Sequence, residues 1–253
     1  MQIIVQNLAV EYLDEGSGNV ILLLHGWQDN LTTFDNLVAS MTGSFRIVRL
    51  DLPGFGKTEI PSSAWNLDNY IQFVCDFVEK LGIKVDVLIG HSFGGRIAMK
   101  GIASGKIKAK KLVLIGSAGL AKTRTLRNSI IRSSALIGKL ALYIPPLLFW
   151  RNALRKRIYK VIGSDYANTG ALKDTFVKII SEDLSESAKL IKVPTLLIWG
   201  ELDIQTTVDD GRKLASLIDG SELKIINEAG HFVHREKTSE VAKYIMEFIT
   251  EFI

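Results

Sequence analysis

The sequence Gly90-His91-Ser92-Phe93-Gly94-Gly95 places one serine between glycines two positions to either side. It follows the apolar run Val85–Ile89 and precedes a stretch of helical character from Arg96. In that setting G-x-S-x-G describes a strand turning sharply into a helix, with the serine at the apex and its hydroxyl above the sheet. The glycines leave room for the helix to pass close to the strand. A serine hydroxyl attacks a carbonyl carbon only if a base takes its proton. The competing reading is a glycine-rich helix start that binds an anion or simply turns the chain.

Four histidines compete for the role of base. His231, in Gly230-His231-Phe232, falls after the last apolar strand and before the last helix, at the strand edge where Ser92 also belongs. His25 follows an earlier strand and reads as a loop-shaping residue, and His91 points elsewhere on the serine's turn. His234 could pair with His231 at i, i+3 on a metal, but no third ligand lies nearby in sequence. The base is therefore His231, with no metal expected. It needs a carboxylate to fix its tautomer and stabilise the imidazolium. Trp199-Gly200-Glu201-Leu202-Asp203 puts Asp203 in a loop at that same edge, with Glu201 as its competitor. Asp209 and Asp210 read as first-turn helix residues. Gly116-Ser117-Ala118-Gly119, one strand earlier, offers no acid.

Short Val-, Ile- and Leu-rich runs must position these groups: Val20–Leu24, Phe45–Leu50, Val85–Ile89, Lys111–Ile115, Thr195–Trp199 and Leu223–Ile226. They read as strands buried on both faces of a parallel sheet. Helices are expected at Leu67–Leu81, Val208–Ile218 and Thr238–Phe252, with Asp68 and Thr238 as N-caps. Gln2–Tyr12, with a turn at Asp14–Gly18, reads as an edge hairpin. The alternation gives a doubly wound, mostly parallel α/β sheet. It stops after Ile115 and resumes at Thr195, and a structureless loop that long is improbable. The segment reads as a helical insertion, giving a core of 1–117 and 194–253 and an inserted unit of 118–193.

The 253 residues are 47% hydrophobic and 23% charged, the balance of a globular chain, which excludes disorder. One cysteine, Cys75, rules out an intrachain disulfide and any cysteine-built metal centre. The sequence reads without a signal peptide or a long apolar span, so the expected location is cytoplasmic. Ten cations and no acid fall between Ser117 and Ser164, leaving 21 basic against 27 acidic residues elsewhere, a net of −6. That face could meet an anionic substrate, an acyl-carrier partner or a membrane surface, or be a solvated face balancing the body. It carries no nucleic-acid reading motif.

The order Ser92, Asp203, His231 on such a sheet resembles the α/β-hydrolase family, in its serine hydrolase branch with a helical cap. His25-Gly26-Trp27 is similar to the family's His-Gly-x turn, and Asp51-Leu52-Pro53-Gly54-Phe55-Gly56-Lys57-Thr58 to its D-x-P-G-x-G-x-S/T loop. Gly90–Gly95, Trp199–Asp203 and Gly230–Phe232 match its elbow, acid loop and histidine loop. The resemblance implies an oxyanion hole made by the backbone N–H groups of Trp27 and Phe93. It makes 118–193 the cap and requires no cofactor. A serine at the elbow argues against the aspartate-nucleophile branches, the haloalkane dehalogenases and epoxide hydrolases.

The substrate is expected to be a small molecule with an acyl bond. The apolar patch Leu140–Trp150, ending in Trp150, could line its pocket or serve the cap's own packing. Arg124 and Arg127 are the pair placed to meet a substrate carboxylate. The leading reading is a carboxylester hydrolase for a small or medium apolar substrate. Its rivals are a carbon–carbon bond hydrolase of a dienoate ring-cleavage product and a non-catalytic ligand receptor on the same fold.

Overall fold

Every residue of Val20–Leu24, Lys111–Ile115 and Thr195–Gly200 is buried, as strands covered on both faces require. The structure, a computed structural model, describes residues 1–41, 45–120 and 170–250. Among them one eight-stranded sheet comprises β1 (Gln2–Val5), β2 (Leu8–Gly16), β3 (Val20–Leu24), β4 (Arg46–Leu50), β5 (Val87–His91), β6 (Lys111–Ile115), β7 (Thr195–Gly200) and β8 (Glu222–Ile226). Their spatial order is β1-β2-β4-β3-β5-β6-β7-β8. Only the β1–β2 and β2–β4 pairings are antiparallel.

Side-chain alternation along each strand divides the core in two. Leu22, Leu24, Leu112, Leu114, Leu197 and Trp199 face α2 (Leu67–Lys80), α3 (Phe93–Ala103) and α6 (Val208–Leu217). Ile21, Leu23, Ile47, Val113, Ile115 and Ile198 face α1 (Asp35–Ala39), α7 (Val233–Glu236) and α8 (Thr238–Thr250). Helix α2 buries Tyr70, Phe73, Val74 and Phe77 completely, each worth roughly 1.5–3 kcal/mol in removal from water.

Three local expectations are corrected. The tight turn of the edge hairpin is Gln6–Asn7, both at positive φ (49° and 62°), and Asp14–Gly18 instead carries β2 into β3. Two positive-φ residues match the twist of a two-residue hairpin, and asparagine tolerates that conformation without glycine. The N-cap of α2 is Asn66, whose extended backbone lets its side chain and that of Asn69 accept each other's amides. Asp68 then falls in the first turn, where it pairs with Lys100 at 2.8 Å. Thr238 opens α8 but donates its hydroxyl back to the His234 carbonyl at 3.0 Å.

Between β6 and β7 the described residues form α4 (Lys173–Ser181) and α5 (Ser185–Lys189). Arg96 of α3 reaches across to donate to the carbonyls of Ile179 and Glu182 at the end of α4. A cation there suits the negative end of a helix. Burial lowers the Arg96 pKa to about 10, against the raising effect of Glu182 and Asp183. The start of α4 is tied by Thr175, whose hydroxyl accepts the Trp65 amide at 3.0 Å. No helix among the described residues is long and apolar enough to cross a membrane. Arg124, Arg127, the Leu140–Trp150 patch with Trp150, and the ten cations lie outside the described residues.

Candidate active site

β5 ends at His91 and α3 begins at Phe93, so Ser92 alone makes the turn, with φ 50° and ψ −107°. This is a strained backbone for a residue with a side chain. A serine before a helix ordinarily caps it. Ser92 occupies the N-cap position, yet its side chain makes no capping hydrogen bond. A Cβ on Gly94 would collide with the Leu24 carbonyl. Without one, the Gly94 amide donates to the His25 carbonyl at 3.0 Å, seating the elbow against the His25-Gly26-Trp27 turn.

His231 Nδ1 lies 2.8 Å from Asp203 Oδ2, with both residues under a tenth exposed. Asp203 Oδ1 accepts the amides of Gln205 at 2.8 Å and Thr206 at 3.0 Å. Burial opposes the Asp203 charge. The hydrogen bond and charge of His231, then the Thr206 amide and hydroxyl, outweigh it and hold the carboxyl below its ordinary range. Gly116, at φ 47°, passes so near that a Cβ there would stand 3.3 Å from Asp203 Oδ2. The adjacent Ile115 carbonyl accepts the Ser92 amide at 3.0 Å. The end of β6 thus carries both the serine turn and the Asp203–His231 pair, at the carboxyl edge where open α/β sheets bind ligands.

The structure brings Asp203 and His231 into contact, and shows no hydrogen bond between Ser92 and His231. Glu201, the competing acid, accepts the exposed Glu228 amide at 3.1 Å. His25 donates from Nδ1 to the Gly26 carbonyl at 2.7 Å and accepts the Leu52 amide at Nε2, 2.9 Å away. Those bonds shape the turn that carries Trp27. His234 places Nε2 3.0 Å from Thr33 Oγ1. Burial, then the neighbouring charges of Arg235 and His231, push its pKa down to about 3.

Two further residues in contact with the Asp203–His231 pair carry no motif signal of their own. His91 is buried, its Nε2–H donates to the His231 carbonyl at 3.0 Å, and its ring packs between those of His231 and His234. Thr206 sits three residues past Asp203, within hydrogen-bond reach of its carboxylate. For Thr206 the D-x-x-T spacing from Asp203 is the available signal, since aspartate side chains commonly bind backbone amides two and three residues on.

Phe93, as the first residue of α3, leads with an amide that no helical carbonyl can accept. Trp27 lies in the turn beyond β3, its ring 5.4 Å from that of Phe93. Phe55 and Phe176 of α4 pack on the same indole at 4.8 and 5.0 Å. The wall beside the serine turn is therefore aromatic.

The profile of the alpha/beta hydrolase family matches residues 21–244. The chain belongs to that family. The chain is similar to the uncharacterized hydrolase YugF of Bacillus subtilis, 25% identical over 261 residues, covering 96% of this chain and 94% of that one. A 2-hydroxy-6-oxononadienedioate/2-hydroxy-6-oxononatrienedioate hydrolase of Escherichia coli is 26% identical over 268 residues, covering 96% and 92%. The solved structure of a membrane phospholipase A, a bacterial virulence factor, superposes with a TM-score of 0.77 at 25% identity, over 98% of this chain and 84% of that one. This alpha/beta hydrolase is accordingly a hydrolase by family.

Proposed function

We propose that the chain is a serine hydrolase that cleaves a carboxylic ester, or a related acyl bond, of a small or medium, largely apolar substrate. The observation that carries this reading is the buried 2.8 Å contact between Asp203 and His231, set beside a serine whose strained turn leaves its side chain out of helix capping. In the proposed cycle Ser92 Oγ attacks the acyl carbon as its proton passes to His231 Nε2. His231 Nδ1–H stays on Asp203 throughout, fixing the tautomer and stabilising the imidazolium. The amides of Trp27 and Phe93 receive the developing oxyanion, at roughly 3 kcal/mol for each such donor. The imidazolium then protonates the leaving group. Water activated by the same histidine clears the acyl-enzyme. The aromatic wall of Trp27, Phe55, Phe93 and Phe176 favours an apolar acyl group.

The test is hydrolysis of p-nitrophenyl esters from acetate to palmitate by the wild-type chain and Ser92→Ala, alongside labelling with a covalent serine probe. Turnover and labelling that both vanish in Ser92→Ala support the esterase reading and size the pocket. Absence of both in the wild type refutes it. A second reading is favoured by the relative named as a dienedioate hydrolase. On that reading the same three residues cleave a carbon–carbon bond of a dienoate, and probe labelling without ester turnover selects it.

A further inference from the structure

Thr206 is buried in the loop that leaves β7, with its hydroxyl at the junction of three groups. Oγ1 lies 2.8 Å from Asp203 Oδ2, 3.0 Å from the Gly116 carbonyl oxygen and 3.3 Å from His231 Nδ1. The residue is itself held rigidly. Its carbonyl accepts the indole N–H of the fully buried Trp199 at 2.9 Å. That indole in turn lies against Gly211 of α6, where a Cβ would stand 2.8 Å from the ring.

An ionised carboxylate offers about four lone-pair directions. On Asp203 the amides of Gln205 and Thr206 take Oδ1, while His231 Nδ1–H and the Thr206 hydroxyl converge on Oδ2. The two amides would be bound by an aspartate in any loop of this shape, and they need no hydroxyl. The hydroxyl is different, because it acts on the oxygen that faces the imidazole. It carries one proton and has two acceptors, Asp203 Oδ2 and the Gly116 carbonyl. Donated to Oδ2, the proton lowers the charge density that His231 meets. Donated to Gly116, it leaves an oxygen lone pair facing Nδ1–H at 3.3 Å. In either arrangement Oγ1 restricts rotation of the carboxylate, and the branched threonine side chain has few rotamers in which to stray.

We propose that Thr206 is a positioning residue for the Asp203–His231 pair: its hydroxyl fixes which carboxylate oxygen meets Nδ1 and shares in the charge held there. The inference rests on the Ser92–His231–Asp203 reading above. Around the pair, His91 packs on the His231 ring with its own Nε2–H on the His231 carbonyl, and it remains neutral in its burial. Thr206 is thus the hydroxyl-bearing neighbour through which the pair is tuned.

The experiment compares Thr206→Val, which keeps the shape, with Thr206→Ser, which keeps the hydroxyl. On the p-nitrophenyl ester that the wild type turns over best, kcat is expected to fall at least tenfold in Thr206→Val with KM little changed, as for loss of a hydrogen bond to a charged group. With the hydroxyl proton on Asp203 Oδ2, its loss leaves a more charged carboxylate facing His231, and the acid limb of the pH–rate profile, which belongs to the pair as a unit, moves to higher pH; with the proton on Gly116 the same loss moves the limb to lower pH. Thr206→Ser restores most of kcat and the wild-type limb. Equal losses in the two variants with an unmoved profile would reduce Thr206 to a packing residue and overturn the proposal. Wild-type kinetics in Thr206→Val overturns it too. Should valine unfold the chain, Thr206→Ala removes the same hydroxyl and is judged by the same criteria. If Ser92→Ala retains full activity, the three-residue reading itself has failed. The low-field His231 Nδ1–H proton resonance then still decides: it shifts in Thr206→Val and not in Thr206→Ser if the hydroxyl positions the pair, and is the same in all three proteins if it does not.

Discussion

His91 Nε2 lies 3.0 Å from the backbone carbonyl oxygen of His231, and the two imidazoles sit 4.9 Å apart, tilted by 50°. The residue before Ser92 therefore holds the loop that carries His231. Two segments 140 positions apart in the chain are joined beside the Asp203–His231 pair. Replacing His91 by alanine removes the donor and opens a gap beneath the His231 ring. We expect a loss of about 1–3 kcal/mol in unfolding free energy together with a drop in kcat/KM. A denaturant midpoint and kcat/KM both at wild-type values would show that the link does neither job.

Asp203 and Glu201 stand two residues apart, and only Asp203 meets His231. Asp203→Asn should reduce kcat by several orders of magnitude, on the order of 10⁴ where the orienting carboxylate of such a triad is lost. Glu201→Gln, altering an exposed acceptor of the Glu228 amide, should leave kcat within about twofold, as surface changes usually do. Steady-state kinetics on the two variants decides between the acids, and the reverse ranking would move the role to Glu201.

Acid should weaken the fold early. Burial drives the pKa of His91 well down, helped by its neighbours His234 and His231; it lowers His25 and takes His234 to about 3. The unfolded chain protonates these imidazoles near pH 6.5, while the folded chain keeps them neutral. Their contribution is complete above that pH and is lost as the pH falls through each group's lowered folded-state value, which for His234 is about 3. Each adds a slope of about 1.4 kcal/mol per pH unit within its own window. Denaturation curves between pH 7 and pH 4 measure this directly. A pH-independent midpoint over that range would show that the buried imidazoles do not govern acid stability.

Arg96 binds the end of α4 from the helix that starts at the elbow. Arg96→Met keeps much of the length and removes the donors, leaving the Ile179 and Glu182 carbonyls without them. Charged hydrogen bonds of this kind are worth about 1.5–3 kcal/mol. Amide hydrogen exchange across residues 173–181 should accelerate in the variant, while exchange in β5 and β6 stays slow. Uniform acceleration everywhere would mean that Arg96 supports the whole fold rather than this one helix.

The elements most legible in the sequence were those whose environment is extreme. β3, β6 and β7 are apolar throughout because both their faces are covered, and their bounds were recovered nearly to the residue. Ser92, Asp203 and His231 stand out in the sequence because each sits in a short motif at a strand end, and the structure brings Asp203 and His231 into contact. What escaped depends on backbone angles or on contacts across the sheet. Gln6–Asn7 turns without glycine, and Asn66 outranks Asp68 as a cap because it alone precedes the helix in extended form. His91 and Thr206 are common residue types whose partners lie far along the chain or share an oxygen with another donor. Arg96 shows the same limit: a cation on an amphipathic helix reads as solvent-facing until the buried carbonyls it serves are seen.

The φ of 50° at position 92 also restricts which nucleophiles this turn can carry. Positive φ is least costly for residues with compact or unbranched side chains and worst for those branched at Cβ. Serine, cysteine and aspartate meet such a backbone at similar steric cost, so on the proposed reading an exchange among them would alter the chemistry offered at the turn while asking little of the strand or the helix. Threonine, chemically the nearest substitute for serine, is the one the backbone resists. The repertoire of reactions open to this chain by a single substitution is thus set by a torsion angle before any chemistry is considered.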